Sequence, residues 1–214
     1  KVARHAPSVV AESVETPEGA YITMLRGNER FVAGITKGER RDESRRRSLA
    51  SEQRPHTIVL SCSDSRVPPE LIFDQGLGDL YTIRVSGNVL GSAQVASIET
   101  AVEKHGAKLI VVMGHESCET VQAAMGQTKT AASSTDQAWL ASEIRPNVVG
   151  RGLASASVLD TKLRQPVMAN VDAVTEQLLV RSKIVSGAVQ AGKLRITRGI
   201  YSLDTGHVDF WSTR

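Results

Sequence analysis

The chain has 214 residues, enough for one hydrophobic core, and its apolar content of 41% and charged content of 23% are those of an ordinary soluble protein. Its net charge of +3 and aromatic content of 4% argue against a nucleic-acid surface, since the basic run at 40–47 also contains acidic residues. No apolar stretch approaches the roughly 20 residues of a membrane span. We expect a cytoplasmic protein, and the alternative is a periplasmic or secreted one if a signal peptide preceded Lys1.

The first 50 residues predict a tail that leads into a helical arm. Residues 1–15 are polar and show no apolar period, which is typical of an extended tail. Thr16 and Pro17 form a helix start, because threonine caps an N-terminus and proline fits the first helical position. Apolar residues at helical spacing follow as far as Gly34, so we expect an arm over about 16–50.

Three short apolar runs, at 56–61, 80–85 and 109–113, are bounded by turn residues and predict buried parallel strands. A helical stripe begins at Val95, between the second and third runs, and ends near His105. Strands that alternate with helices indicate the parallel sheet of an α/β protein.

The C-terminal part predicts a loop, a helical region and a hairpin. Residues 127–136 are small and polar, as in a loop, whereas 143–163 is ambiguous because proline and glycine interrupt it. The region 167–191 has helical character and is expected in two pieces. The runs 194–203 and 207–211 predict the two strands of a hairpin.

The chain shows neither an internal repeat nor a linker between domains. We therefore expect a single zinc-binding α/β domain over 1–214, for the reasons given next. Its core is expected to cover about 55–214, including the hairpin.

The two cysteines of the chain each follow a predicted strand. Cys62 comes directly after the first run, and Cys118 lies three residues after His115, where the third run ends. Sites in open α/β sheets lie at the carboxyl ends of strands. Two thiolates and one imidazole suit zinc and leave a fourth position for water or substrate. The alternatives are that both cysteines are small buried apolar residues, or that they form a disulfide.

Asp64 lies two residues after Cys62, and Arg66 lies two residues after Asp64. Three interpretations are open. Asp64 is a fourth metal ligand that closes the site, or it pairs with Arg66 and is held ionised beside a metal-bound water. The third interpretation is an ordinary salt bridge at the end of a strand.

Four motifs stand out: Cys-Ser-Asp-Ser-Arg-Val-Pro at 62–68, Gly-Asn at 87–88, Ser-Ile-Glu at 97–99 and Gly-His-x-x-Cys at 114–118. In order and spacing they resemble the motifs of the β-class carbonic anhydrases of the plant-like and bacterial branch. The resemblance implies an α/β fold with a predominantly parallel central sheet of four strands and an added edge strand, flanked by helices. It also implies an N-terminal helical arm and a homodimer, possibly a tetramer.

The resemblance also implies roles for particular residues. Cys62, His115 and Cys118 would bind one Zn²⁺ ion per subunit. Asp64 and Arg66 would form a catalytic dyad, with Asp64 as a possible fourth ligand in a closed state.

Gln53 and Tyr81 correspond to residues of the substrate pocket, part of which comes from the neighbouring subunit in this family. The chain also departs from the family pattern. Glu119 replaces the usual glycine after the second cysteine, Thr100 replaces a common aromatic residue, and Ser86 stands where a small apolar residue is common. Glu119 either points to solvent or contacts the substrate, where its charge would oppose bicarbonate or relay a proton.

The expected function is the reversible hydration of carbon dioxide to bicarbonate and a proton by zinc-bound hydroxide. The alternatives are hydrolysis of carbonyl sulfide or carbon disulfide at the same site, and a zinc-binding relative without catalytic activity. No nucleic-acid partner is expected.

Overall fold

The computed structural model describes residues 13–126, 134–149 and 162–211 of the chain. The helices in these ranges are α1 (Pro17–Val32), α2 (Glu43–Ser48), α3 (Pro69–Ile72), α4 (Ser92–Glu103), α5 (Glu119–Ala124), α6 (Thr135–Val148), α7 (Arg164–Arg181) and α8 (Lys183–Gln190). The strands are β1 (Thr57–Ser61), β2 (Leu80–Arg84), β3 (Leu109–His115), β4 (Arg195–Tyr201) and β5 (Val208–Trp211). None of the described helices combines the length and the apolar character needed to cross a bilayer.

The five strands form one sheet in the order β2-β1-β3-β4-β5. The first four strands in this order pair in parallel, and β5 pairs antiparallel with β4. The predicted α/β fold class, with four parallel strands and an added edge strand, is confirmed. β1 and β3 are buried along their whole length, which explains why their sequences are continuous apolar runs.

Side chains of the central strands alternate between two hydrophobic layers. On one face of the sheet, Ile58 and Ile110 pack with apolar residues of α4, α7 and α8. On the other face, Val59 and Val111 pack with apolar residues of α1 and α3. The alternation follows from the two-residue period of a strand, and it leaves the ends of the strands as the accessible part of the central sheet.

The register of the sheet brings two strand ends together. Ser61, the last residue of β1, pairs with Met113 of β3 and with Arg84 of β2. Cys62 therefore lies beside His115, the last residue of β3, at the carboxyl edge of the sheet. This is the edge at which parallel α/β proteins carry their sites.

The predicted start and end of the first helix are confirmed, whereas the predicted helical region near the C-terminus is present but begins at Arg164, three residues earlier than expected. Thr16 Oγ1 accepts a hydrogen bond from Gly19 N–H at 3.0 Å and caps α1, while Gly34 adopts a φ of 68° just beyond its end. The predicted helical region after residue 167 is divided into α7 and α8. Ser182 separates them and caps α8, because its Oγ accepts a hydrogen bond from Val185 N–H at 3.1 Å.

The predicted loop over 127–136 is wrong at its end, because α6 begins at Thr135. Ser134 Oγ accepts a hydrogen bond from Gln137 N–H at 3.2 Å, and this cap starts the helix within a stretch of small polar residues. Outside the described residues lie 1–12 of the predicted tail, 127–133 of the predicted loop and 150–161 of the ambiguous region.

Candidate metal centre

Cys62, His115 and Cys118 meet at the carboxyl edge of the sheet. One ligand atom from each residue lies within 4.8 Å of the other two, and all three residues are buried. Both cysteines are free, so the disulfide alternative does not hold. Cys62 follows β1, His115 ends β3 and Cys118 caps α5, so three separate elements hold the three ligand atoms in place.

The imidazole of His115 is oriented for metal binding. Its Nδ1 lies 2.8 Å from the backbone carbonyl oxygen of Glu116. A carbonyl only accepts, so Nδ1 carries the proton and Nε2 presents a lone pair. Nε2 is buried and has no hydrogen-bond partner among the described residues. A buried acceptor without a partner, next to two thiols, fits a zinc ion.

The pKa values of the two cysteine thiols are shifted in opposite directions. The pKa of Cys62 is lowered to about 4, chiefly because the Cys118 thiol donates a hydrogen bond to its sulfur. Backbone N–H groups of Asp64 and Gly87 lower it further, against the effect of burial. The pKa of Cys118 is raised by that same hydrogen bond and by burial. Without a metal, the shared proton therefore favours Cys118 over Cys62, and both sulfurs lose their protons when they bind a metal.

The Asp64 carboxylate is paired with the Arg66 guanidinium at two points. Arg66 Nε donates to Oδ1 at 2.9 Å and Nη2 donates to Oδ2 at 2.6 Å. These hydrogen bonds are the main cause that lowers the pKa of Asp64 to about 2. Oδ2 lies 3.8 Å from His115 Nε2, beside the three ligand atoms. The geometry is that of an ionised acceptor held by Arg66 next to the centre.

Arg84, at the end of β2, holds the loop that carries Cys62 and Asp64. Its Nε donates to the Cys62 carbonyl oxygen at 3.0 Å, and its Nη2 donates to the Asp64 carbonyl oxygen. Sequence reasoning did not single out Arg84. Its position follows only from the pairing of β1 with β2, which places it opposite Ser61.

Gly87 explains the Gly-Asn motif at 87–88. Its backbone N–H donates to Cys62 Sγ at 3.4 Å. Its φ is 65°, and a Cβ atom there would lie 2.3 Å from Ile144 Cδ1. Glycine suits this position because its backbone adopts a positive φ without strain and leaves room for the Ile144 side chain.

The residues of this centre lie in a part of the chain that matches a known protein family. The family model described as carbonic anhydrase matches residues 57–208, which include Cys62, His115 and Cys118. The chain belongs to the carbonic anhydrase family. Carbonic anhydrase 2 of Mycobacterium tuberculosis is 36% identical over 198 residues, covering 89% of this chain and 90% of the relative. Carbonic anhydrase of Mycolicibacterium smegmatis is 34% identical over 204 residues, with coverage of 92% and 94%.

Solved structures identify the β class of carbonic anhydrases. The β-carbonic anhydrase CafA of Aspergillus fumigatus gives a TM-score of 0.68 at 24% identity, covering 90% of this chain and 91% of that chain. The Coccomyxa β-carbonic anhydrase in complex with acetazolamide gives 0.66 at 25% identity, covering 86% and 83%. These structures share the predicted fold, and the class agrees with the resemblance drawn from the motifs.

Glu119, the first departure from the carbonic anhydrase pattern, directly follows the ligand residue Cys118. It is the first residue of α5 and its side chain is exposed. The pKa of Arg66 is raised mainly by its hydrogen bonds to Asp64, and the negative charge of Glu119 adds to this effect. Thr100 Oγ1 donates to its own helix at Ala96, at 2.9 Å.

Ser86 lies beside the loop that follows Cys62. The hydroxyl oxygen of Ser86 is 3.0 Å from that of Ser63. Ser86, the third departure from the carbonic anhydrase pattern, therefore has a polar partner within the same chain.

Gln53 and Tyr81 lie away from the metal centre of their own chain. Gln53 precedes β1 and is exposed. Tyr81 pairs with Ile58, near the opposite end of β1 from Cys62. The ring of Tyr81 lies 5.9 Å from the ring of His105, and Gln53 and His105 line the same surface pocket. One chain therefore does not bring the two expected pocket residues to its own thiolates.

Proposed function

We propose that this carbonic anhydrase uses zinc to interconvert carbon dioxide and bicarbonate. The observation that carries the proposal is that His115 Nε2, which has no hydrogen-bond partner in the described part of the chain, converges with two thiols beside an ionised Asp64. Two cysteines and one histidine are a donor set that zinc prefers, with a fourth position left open. When bound there, zinc supplies a nucleophile at neutral pH by lowering the pKa of a water molecule.

The residues of the chain have separate tasks in this proposal. Cys62, His115 and Cys118 hold the ion. Asp64, ionised because its pKa is about 2, accepts a hydrogen bond from the attacking water and so directs an oxygen lone pair at carbon dioxide. Arg66 keeps both carboxylate oxygens in place. The proton released in the reaction leaves to buffer.

We infer that a second copy of the chain completes the substrate pocket. Tyr81 lies on β2, one of the two edge strands of the sheet, and Leu71 and Leu77 are 50% and 43% exposed. An edge strand with exposed leucines near it is suited to contact between copies. In a homodimer, Gln53 and Tyr81 would serve the partner's centre. Tetramers occur among the relatives, since the Sordaria macrospora β-carbonic anhydrases are described as tetrameric.

Stopped-flow measurement of carbon dioxide hydration tests the proposal, with zinc content measured on the same sample at pH 7 and pH 8.5. We expect rapid, zinc-proportional turnover at both values. His115→Ala is the matched control and is expected to lose both zinc and rate. A fully zinc-loaded native protein that hydrates no carbon dioxide would contradict the proposal, and turnover of carbonyl sulfide by that sample would then identify the sulfur substrate.

A further inference from the structure

A row of amide side chains runs from the surface of the protein to the metal centre. Gln177 of α7 is exposed, and its Nε2 donates to Asn147 Oδ1 at 3.1 Å. Asn147 Nδ2 donates to Asn170 Oδ1 at 2.8 Å, and Asn170 Nδ2 donates to the Gly87 carbonyl oxygen at 2.9 Å. Asn147 and Asn170 are 7% and 0% exposed. We call Gln177, Asn147 and Asn170 the amide row.

The amide row ends on the residue that contacts the metal-binding thiolate. Gly87 donates its N–H to Cys62 Sγ and receives the Asn170 amide on its carbonyl oxygen. The φ and ψ rotations of Gly87 lie between these two groups, so the Asn170 bond to the carbonyl restricts the rotations by which the N–H could turn away from Cys62 Sγ. Glycine needs such a restraint more than other residues do, because its backbone has the widest choice of conformations.

The burial of the row indicates a purpose beyond filling space. A buried amide without partners is costly, and apolar side chains of similar volume would pack α6 against α7 without that requirement. In the row, Asn170 accepts a hydrogen bond from Asn147 and donates one to Gly87, so both its acceptor and its donor group are used. The arrangement has the form of the outer hydrogen bonds that orient metal ligands in other proteins.

We propose that Asn170 is a positioning residue of the metal centre, holding the Gly87 N–H against the Cys62 sulfur. Asn147 supports Asn170 from α6. The inference rests on the proposed function in one respect, namely that Cys62 binds zinc. It adds that the strength and electronic character of the Cys62–metal bond depend on two buried amides outside the ligand set.

Asn170→Leu tests the proposal, because leucine has a similar volume and can neither donate nor accept. We expect the zinc dissociation constant, measured by competition with a chelator, to rise by up to about tenfold, the lower end of the range for outer hydrogen bonds, because Asn170 acts on Cys62 through Gly87. In protein loaded with Co²⁺, we expect the thiolate-to-metal absorption band to shift. Asn147→Leu is expected to move both values in the same direction by a smaller amount.

Asn28→Leu is the matched control. Asn28 is 3% exposed, donates to the carbonyl oxygens of Ile72 and Gly206 and accepts from the Val208 N–H, so its loss also removes backbone hydrogen bonds, on the α1 side of the sheet. We expect it to lower stability without changing zinc affinity or the cobalt band. If Asn170→Leu does not fold, Asn147→Leu decides the matter by the same two measurements.

Two results would overturn the proposal. One is a zinc affinity and a cobalt band in the amide variants equal to those of the native protein. The other is an equal weakening of zinc binding in Asn28→Leu, which would reduce the effect to general destabilisation. Native protein that binds zinc but hydrates no carbon dioxide would count against the proposed function alone, since both measurements on Asn170 would still apply.

Discussion

Each oxygen of the Asp64 carboxylate accepts a hydrogen bond from a different side-chain nitrogen of Arg66, at 2.9 Å from Nε and 2.6 Å from Nη2. The Arg66 backbone N–H adds a third bond, to Oδ1 at 2.9 Å. These contacts fix the plane of the carboxylate and hold it ionised. Asp64 is therefore an acceptor of set direction, which is the property required to orient a water molecule beside the ligands.

Asp64→Asn should separate metal binding from catalysis. Asparagine keeps the shape of the side chain but replaces one acceptor oxygen with a donor group, so the attacking water loses its orientation. We expect zinc content to be unchanged and the hydration rate to fall roughly 100-fold. Arg66→Lys, which keeps the charge but not the two-point contact, should give a smaller loss. An unchanged rate in Asp64→Asn would refute the orienting role.

Arg84→Met should loosen the loop that carries Cys62 and Asp64. Methionine fills part of the space but leaves the two carbonyl oxygens without the guanidinium. We expect zinc affinity and rate each to fall about tenfold, because the loop positions both a ligand and the dyad. Arg46→Met on the exposed face of α2 is the control, since Arg46 is 71% exposed and contacts only Glu43 in the described ion pairs. Equal changes in zinc affinity and rate in the two variants would contradict the role of Arg84 in holding this loop.

Mixed dimers can show which centre Gln53 serves. Gln53→Leu and His115→Ala are each expected to be slow alone. If Gln53 serves the partner's centre in the proposed homodimer, each mixed dimer contains one intact centre of two, so purified mixed dimers should show about half of the native rate. Recovery is measured on mixed dimers purified through two different tags. Absence of any recovery would place Gln53 in its own chain's centre.

Glu119→Gly restores the residue that the family pattern favours. Because the Glu119 side chain is exposed at the first position of α5, we expect the rate to change by no more than about twofold, as for other surface substitutions. Glu119→Gln separates the effect of charge from that of backbone freedom, and bicarbonate dehydration is measured together with hydration. A large gain in the rate for both variants would show that the carboxylate opposes the substrate.

His56 predicts a loss of stability in mild acid. It is buried, its Nε2 lies 3.2 Å from Gln75 Oε1, and burial is the main cause that lowers its pKa below 6.5. The unfolded chain therefore takes up a proton before the folded chain does as pH falls. The free energy of unfolding should decrease as pH drops below about 6.5.

Urea unfolding of zinc-loaded protein at pH 7.5 and at pH 5.5 measures this effect. His56→Gln removes the titrating group, so the difference between the two pH values should shrink relative to the native protein. Both proteins contain the same metal ligands, so the pH dependence of metal binding cancels in the comparison. A difference of the same size in both proteins would exclude His56 as its source.

Local chemistry made several features predictable. Thr16 caps α1 by a hydrogen bond with a residue only three positions away. The strands β1 and β3 are recognisable as continuous apolar runs because they are buried on both faces. Cys62, His115 and Cys118 could be grouped because each lies where a predicted strand ends, and parallel strands end at one edge. The loop over 127–136 was misjudged at Thr135 because small polar residues both form loops and cap helices.

The remaining features depend on which elements become neighbours. Arg84 reaches the Cys62 loop because β2 pairs with β1 in one register, and a shift by one residue would point it to the other face. Asn170 reaches Gly87 from 83 residues further along the chain. The sequence alone therefore determined the elements and the ligand types, which depend on residues close in the chain. Only the tertiary structure decided the contacts that orient those ligands, because hydrogen bonds require distances and directions that a spacing does not contain.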